Sequence, residues 1–152
     1  MENEKYEEYL HEYADMVLRL AFANVMNRAD AEDIVQEVFI KLYKQKHFIS
    51  NEHVKSWLIR VTINQCNSFH RKFFNKKRVD LELEWFADDY VSISIHEELA
   101  LLPSHERVYV YLHYIEGYTY KEIGEMFHKS TSTIASIVTR ALKNLRIQLQ
   151  EE

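Results

Sequence analysis

Glycine and proline are scarce in this chain, which holds 2 Gly and 1 Pro among 152 residues. The tight turns that join β-strands depend on these residue types, whereas helices need few of them. Apolar residues also recur at helical spacing along most of the sequence. We therefore predict an all-α protein that consists of two small helical domains joined by a flexible linker.

Charge is segregated along the chain, although the formal net charge is only -5. Residues 60–79 and 129–150 contain Lys and Arg but no acid, whereas residues 80–106 contain acids but neither Lys nor Arg. This alternation predicts two surfaces that bind a polyanion and a solvated acidic connector. Ordinary charged helix faces are the alternative explanation. The predicted parts are an N-terminal domain over 1–78, the linker over 79–94 and a C-terminal domain over 95–152.

The single cysteine, Cys66, excludes an intramolecular disulfide and indicates a reducing compartment. The acidic N-terminus lacks the basic start and the apolar run of a signal peptide. No apolar stretch approaches the roughly 20 residues that cross a bilayer. The sequence therefore predicts a cytoplasmic protein without membrane insertion.

Three long helices are predicted in the N-terminal domain. Apolar residues at helical spacing predict the first helix over 5–26. The side chain of Asp30 suits an N-cap, so the second helix is expected over 31–45. A loop at 47–51 precedes the third helix, which is expected from 53 to 72 or beyond.

Cap and turn residues divide the C-terminal domain into further helices. Ser94 and Glu97 have the spacing of a capping box for a short helix that ends near Leu102. Pro103 suits the first turn of the next helix, and Gly117 ends that helical region.

The segment that follows has the pattern of a helix-turn-helix. Thr119 and Glu122 predict a capping box that opens a short helix, a turn is expected at 128–130, and a longer helix carries an apolar stripe from Ile134 to Leu149. Hydroxyl groups at the start of this longer helix can bond to base edges or phosphates, and later cations can neutralise phosphates. A plain helical hairpin with a Ser/Thr-rich cap is the alternative. The candidate DNA-binding residues here are Lys129, Ser130, Thr131, Ser132, Thr133, Ser136, Arg140 and Lys143.

Two blocks of sequence carry sets of motifs in a fixed order. The C-terminal block, with LP at 102–103, YxEGYxYxEI at 114–123 and SxxTIxSxxxRAxxxL at 130–145, resembles region 4 of the sigma-70 family of bacterial transcription factors, which binds the upstream promoter element. The N-terminal block, with DAEDIVQEVF at 30–39 and WLIRVxxN at 57–64, resembles region 2. Because only these two regions are present, the chain is similar to extracytoplasmic-function sigma factors.

The resemblance assigns a docking role to the segment near Asp33, which in such factors binds the coiled coil of the largest RNA polymerase subunit. An acidic and polar helix face suits a basic helical partner. A solvated helix face is the alternative explanation. The polymerase-docking residues that the resemblance implies are Asp33, Gln36, Glu37 and Phe39.

The resemblance also implies that the third helix and the loop before it open the downstream promoter element and hold a flipped base. That task needs aromatic or planar surfaces for bases and cations for the backbone. The residues implied are Phe48, Asn51, Arg60, Asn64, His70, Arg71 and Lys72. Trp57 is a further candidate, with a core position as its alternative. Contacts to phosphates without base preference are expected from Lys76, Lys77 and Arg78.

Some positions depart from the family pattern. Asn67 and Ser68 stand where many relatives carry an apolar residue and then an acid, which bears on base preference. The pair Phe73 and Phe74 has no assignment.

We expect a sigma factor that directs core RNA polymerase to specific promoters, with promoter DNA, the polymerase and an anti-sigma factor as partners. The alternative is a sigma-like DNA-binding regulator that does not itself initiate transcription. An enzyme is a third reading, but the 8 His show no HExxH spacing, and the carboxylate pair Asp33 and Glu37 has no recognisable catalytic partners. We therefore expect no catalytic residue, no metal and no cofactor.

Overall fold

The computed structural model describes residues 1–72 and 98–150. Within these residues there are helices and no strand, which confirms the predicted all-α class. The linker predicted at 79–94 lies outside the described residues, as do Phe73, Phe74, Lys76, Lys77, Arg78, Ser94 and Glu97. In chain order the helices are α1 (Asn3–Val25), α2 (Arg28–Tyr43), α3 (Asn51–Lys72), α4 (Ser104–Tyr114), α5 (Tyr120–Phe127) and α6 (Thr131–Gln150).

The chain separates into two compact units, Met1–Leu81 and Glu82–Glu152. In the first unit, α1, α2 and α3 each contact the other two. Their apolar faces form one core, because each helix repeats large apolar residues at a spacing near 3.6 residues. Side chains that are fully buried in this core include those of Val17, Leu20, Phe22, Val38, Leu42, Leu58 and Ile59.

The connection between α1 and α2 differs from the prediction. Asp30 was expected to cap α2, but Asn27 holds that position, and its side chain accepts a hydrogen bond from the N–H of Asp30 at 3.0 Å. Asp30 therefore lies inside the first turn and is buried. Met26 ends α1 in the left-handed region with φ of 55°. The chain thus reverses direction over two residues, and α2 begins earlier than its acidic residues indicate.

In the second unit, α4 and α5 pack against α6. The fully buried side chains there include Tyr111, Leu112, Ile123, Ile134 and Val138. Gly117 has φ of 80°, a conformation that favours glycine, and it ends the α4 region as predicted. The apolar stripe predicted for α6 is shorter than expected. Burial ends at Leu145, whereas Leu149 is 41% exposed because α6 extends beyond the helices it packs against.

Candidate nucleic-acid interfaces

The start of α5 is fixed by the predicted capping box. The N–H of Thr119 donates to Oε1 of Glu122 at 3.0 Å, and the N–H of Glu122 donates to Oγ1 of Thr119 at 3.1 Å. Each side chain thereby satisfies an amide that the helix leaves without a partner. The result is a short helix, Tyr120–Phe127, with a defined beginning.

The turn between α5 and α6 depends on Gly124, a residue that the sequence analysis did not single out. A Cβ atom built on Gly124 would lie 2.5 Å from the carbonyl oxygen of Lys129. His128 ends α5 with φ of 56°, and the N–H of Lys129 donates to the carbonyl of Gly124 at 2.8 Å. The two helices can approach closely because position 124 has no side chain. The signal available in the sequence was a helical glycine that lies four residues before the predicted turn.

The start of α6 presents hydroxyl groups to solvent. Ser130 acts as a cap, since its Oγ accepts a hydrogen bond from the N–H of Thr133 at 3.1 Å. The same Oγ lies 2.7 Å from Oγ1 of Thr133 and 3.2 Å from Oγ of Ser132. The predicted contact residues of this segment are all exposed, namely Lys129, Ser130, Thr131, Ser132, Thr133, Ser136, Arg140 and Lys143.

Aromatic contacts support this helix pair from α4. The ring of Tyr109 meets that of Phe127 edge to face at 5.0 Å. His113 stacks on Tyr120 at 4.2 Å, and its Nδ1 donates to the carbonyl of Tyr118 at 2.7 Å. These contacts join α4 to both ends of α5, so the orientation of the helix-turn-helix within its unit depends on them.

A buried cation lies at the start of α4. Nη1 of Arg107 donates a hydrogen bond to the carbonyl of Leu102 at 2.9 Å. Burial lowers the pKa of its guanidinium to about 10, because removal from water disfavours the charged form. Arg107 still carries its charge near neutral pH, and it is 7% exposed. It therefore stabilises the entry into α4 and is not one of the exposed cations available to DNA.

An exposed stripe runs along α3. Arg60, Asn64 and Arg71 were predicted to contact DNA, and all three are exposed. Asn67 is also exposed and shares their face, because the steps from 60 to 64, 67 and 71 keep these residues within roughly 60° of one another around the helix. Lys72 is exposed as well, but it points toward α2. In the sequence Asn67 stands out only as a departure from the family pattern, and helical spacing was the signal that could have included it in the stripe.

His70 does not belong to this stripe. Its Nε2 lies 2.6 Å from Oδ1 of Asn24 in α1, and the imidazole is half-buried. The hydrogen bond joins the last turns of α1 and α3. The structure thus gives His70 a role inside the first unit, away from the exposed cations on either side of it in sequence.

The connection before α3 carries an aromatic cluster. Phe48 contacts His53, Trp57 and Tyr9 edge to face, with ring centroids at 5.3, 5.5 and 6.1 Å. Trp57 is half-buried, so it is neither a core residue nor a free surface for a base. Asn51 is exposed at the start of α3, and its carbonyl accepts a hydrogen bond from the hydroxyl of Tyr13 at 3.2 Å. The cluster therefore holds the loop against α1 and α3.

On α2, three of the four predicted docking residues share an exposed face. Asp33, Gln36 and Glu37 are exposed. Phe39 is 3% exposed and meets the ring of Tyr6 edge to face at 6.5 Å. Because consecutive residues of a helix point about 100° apart, Phe39 falls on the core side of α2. It supports α2 from within the core and presents no surface to a partner.

A groove of about 180 Å³ separates α2 from the second half of α3. Acids of α2 stand on one side, and the apolar side chains of Ile34 and Phe69 contribute to its lining. Lys41 of α2 donates to Oε1 of Gln65 in α3 at 2.7 Å and ties the two helices together. The groove thus places residues of α3 beside the predicted docking residues of α2. Its lining residues are Asp30, Asp33, Ile34, Glu37, Gln65, Ser68, Phe69 and Lys72.

Two features are absent from residues 1–72 and 98–150. No group of three His, Cys, Asp or Glu side chains in them could hold a metal ion. In the same residues, none of the helices combines the length and the apolar character needed to cross a membrane.

Comparison with known proteins gives two family matches that follow one another along the chain. Residues 9–74 match the model of Sigma-70 region 2, and residues 92–145 match that of Sigma-70, region 4. The RNA polymerase sigma factor SigV of Bacillus subtilis (strain 168) is 34% identical over 140 residues, which cover 88% of this chain and 84% of that protein. The chain belongs to the sigma-70 family, as an extracytoplasmic-function sigma factor. The function is therefore that of an RNA polymerase sigma factor, and the alternative of a regulator that does not initiate is not favoured.

Other relatives agree with this family. The ECF RNA polymerase sigma factor SigE of Mycolicibacterium smegmatis (strain ATCC 700084 / mc(2)155) is 28% identical to this chain. The match covers 93% of this chain and 60% of SigE. A solved structure, of the sigma factor RpoE in complex with the anti-sigma factor NepR from Bartonella quintana, has a TM-score of 0.75. It is 19% identical and covers 97% of this chain and 98% of that chain, so it supports the fold. Sigma factors as a class are initiation factors rather than enzymes.

Proposed function

We propose a division of labour within this sigma factor. The first unit docks on core RNA polymerase through α2 and opens the downstream promoter element with α3, and the second unit reads the upstream element with α6. The observation that carries the proposal is the separation of two faces on one three-helix unit. Exposed acids lie at positions 32, 33 and 37 of α2, with cations only in its first and last turns, whereas the exposed stripe of α3 from Arg60 to Arg71 contains cations and amides without an acid.

The docking proposal rests on charge and shape. Asp33 and Glu37 are exposed, lie one turn apart on α2 and line the groove beside α3. Carboxylates on a helix face complement a basic helix of a partner, and they raise the rate and specificity of association more than the affinity. The apolar side chains of Ile34 and Phe69 in the same groove offer the partner a place to bury apolar surface.

For the downstream element, the proposed surface is the stripe formed by Arg60, Asn64, Asn67 and Arg71. Arginine neutralises phosphates, and asparagine can bond to the edge of a base. Phe48, Asn51 and the loop before α3 lie at the opposite end of the helix from Arg71, and we propose that an unstacked base is held there. Lys72 adds a cation at the end of α3.

For the upstream element, we propose that the hydroxyl-rich start of α6 enters the major groove. Recognition helices place their first turns against base edges, and small side chains permit a close approach. Arg140 and Lys143 are exposed two turns further along and reach phosphates. Hydroxyl groups donate and accept, so they select a base less strictly than a bidentate arginine or asparagine does.

The proposal also covers the compartment, the absence of catalysis and a regulatory partner. We propose that the factor works in the cytoplasm beside its polymerase and has no enzymatic activity of its own. An anti-sigma factor is a further proposed partner, supported by the Bartonella quintana sigma factor, which was solved in complex with one.

Run-off transcription with core RNA polymerase and a library of promoters tests the proposal. The factor should give transcripts whose yield depends on sequence in two separate elements. Replacing Asp33 and Glu37 by Lys should abolish initiation, whereas the same changes at Glu7 and Asp15, which are exposed acids of α1, should leave it close to normal. Initiation without sequence dependence would refute the promoter-reading roles. Full initiation by the variant changed at positions 33 and 37 would refute the docking role.

A further inference from the structure

A cavity of about 250 Å³ lies between the start of α1 and the loop that joins α2 to α3. Two rings form part of its wall, because Tyr9 and Phe48 both line it and meet edge to face at 6.1 Å. Phe48 is also held by the rings of His53 and Trp57. The apolar wall of the cavity is therefore in place before any ligand binds.

Packing between α1 and the end of α2 brings basic side chains from two segments of the chain to this cavity. The ring of Tyr6 meets that of Tyr43 edge to face at 5.1 Å, which holds the start of α1 beside the loop that follows α2. Lys5, Lys46 and His47 consequently line one cavity, although they are distant in sequence, and all three are exposed. Basic side chains that converge in this way attract an anion.

Polar groups around the cavity have room for a further partner. In the part of the chain that the structure describes, the side chains of Lys46 and His47 make no hydrogen bond or ion pair. Lys5 pairs with Glu8 at 3.3 Å, but both side chains are exposed, so the pair is weak. Tyr9 is 5% exposed, and its hydroxyl bonds to none of the described residues. Because a buried hydroxyl without a partner is unfavourable, the cavity favours a ligand that brings an acceptor.

We infer that this cavity binds a small phosphate monoester that carries a flat apolar group, of which a nucleoside monophosphate is the simplest example. The phosphate accepts hydrogen bonds from Lys5, Lys46 and His47. The hydroxyl of Tyr9 donates a further one, and the flat group packs against Phe48. The inference shares Phe48 with the loop proposed to hold an unstacked base. It otherwise uses residues that the proposed function does not, so either can fail without the other.

The charges around the cavity favour a phosphate monoester over a phosphodiester. A monoester carries a charge of about -1.5 to -2 at pH 7 and three terminal oxygens. Each link of a DNA strand carries a single negative charge. Two lysines and a histidine complement the larger charge better. Among the described residues, Glu2 is the only acid that lines the cavity, and it is exposed, so it can turn away from a bound anion.

The test is a titration of the isotope-labelled full-length protein, without polymerase or promoter, followed by NMR. Inorganic phosphate and adenosine monophosphate are the probes, at constant ionic strength. Both should shift the amide signals of Lys5, Tyr9, Lys46 and His47 until the site is saturated. Adenosine monophosphate should bind more tightly than phosphate, because its base packs on Phe48.

Three variants locate the site. Lys46→Ala should weaken the binding of adenosine monophosphate by roughly ten-fold, the effect of losing a hydrogen bond to a charged group. Tyr9→Phe keeps the ring and removes only the hydroxyl, and it should weaken binding by roughly five-fold. Lys44→Ala is the matched control, since Lys44 is an exposed cation close to Lys46 that does not line the cavity, and it should bind like the wild type. Thermal unfolding of each variant checks that it folds.

The outcomes either support the site or overturn it. Saturable shifts that Lys46→Ala weakens and Lys44→Ala does not change support it. Shifts that rise linearly with probe concentration, or equal effects of the two lysine variants, overturn it. A short oligothymidylate without a terminal phosphate should leave the four amides unshifted. If it binds there as tightly as adenosine monophosphate, the assignment to a phosphate monoester is wrong.

Discussion

The backbone of Gly124 in α5 lies directly against the main-chain carbonyl of Lys129, at a distance that leaves no room for a Cβ atom. The N–H of Lys129 returns a hydrogen bond to the carbonyl of Gly124 at 2.8 Å, so the two residues hold the turn of the helix-turn-helix closed. The atom that a side chain at position 124 would meet is the main-chain oxygen of Lys129, and backbone cannot move aside as a flexible side chain could. The angle between α5 and α6 therefore depends on glycine, which has no Cβ atom, at position 124.

Gly124→Ala should destabilise the helix-turn-helix and reduce upstream-element recognition. A Cβ atom 2.5 Å from the Lys129 oxygen forces the turn open, at a cost of about 1–3 kcal/mol. Chemical denaturation of the full chain measures the loss, and Glu125→Ala, an exposed neighbour on the same helix, serves as control. Unchanged stability and unchanged promoter selection would show that the turn can relax.

Thr119→Ala should destabilise the second unit by about 1 kcal/mol, the usual value of an N-cap. The change removes the acceptor for the N–H of Glu122, whereas Thr119→Ser retains it. In thermal unfolding, the melting temperature of the serine variant should therefore be close to that of the wild type, and that of the alanine variant should be lower. Equal destabilisation by both changes would mean that the methyl group, and not the hydroxyl, matters.

Arg140→Ala and Lys143→Ala should each reduce the salt dependence of promoter binding by the holoenzyme. Each phosphate contact that is lost lowers the slope of log affinity against log salt by about 1, and affinity should fall similarly on all promoters. Lys5→Ala, an exposed cation on α1, is the control. A slope that does not change would mean that α6 does not approach the phosphates at these residues.

Asn67→Ala should alter base preference in the downstream element. Asn67 shares the exposed face of α3 with Arg60 and Asn64, and its amide can distinguish one base from another by about 1–3 kcal/mol when it bonds to a base edge. Initiation from a promoter library with single-base changes is the measurement, with Gln148→Ala, an exposed amide of α6, as the control. A uniform loss on every promoter would indicate a phosphate contact instead.

Cys66 should resist thiol reagents in the folded protein. Its side chain is fully buried, and burial raises the pKa of the thiol to about 12, so the reactive thiolate is absent at pH 7 to 9. Reaction with a disulfide reagent should occur only in unfolded molecules, so its rate should rise as the concentration of denaturant is raised. Rapid modification of the native protein would contradict the packing of α3 against α1 and α2.

Local patterns in the sequence were sufficient for the features that depend on neighbouring residues. Scarce glycine and proline with helical spacing predicted the all-α class, and Thr119 with Glu122 predicted a capping box that the structure contains. Such features arise within one or two helical turns, so the residues that cause them are adjacent in the chain. The family motifs in turn predicted the sigma factor function.

Only the tertiary structure decided which side each residue faces. Phe39 and Ile40 are adjacent and both apolar, yet one is buried in the core and the other is 48% exposed. The difference depends on where α1 and α3 contact α2, which the sequence around position 40 does not state. His70 was likewise assigned to DNA by the family resemblance, but packing of α3 against α1 brings it to Asn24.

What the sequence by itself determined is therefore the all-α class, the capping box of α5 and the family. The groove between α2 and α3, the exposed stripe of α3 that includes Asn67, and the requirement for glycine at position 124 were decided by tertiary structure. The physical reason is that each of these depends on a contact or an exposure that is created when helices distant in sequence pack together. Hydrophobic spacing predicts that a helix has a buried side, and packing decides which residues remain outside it.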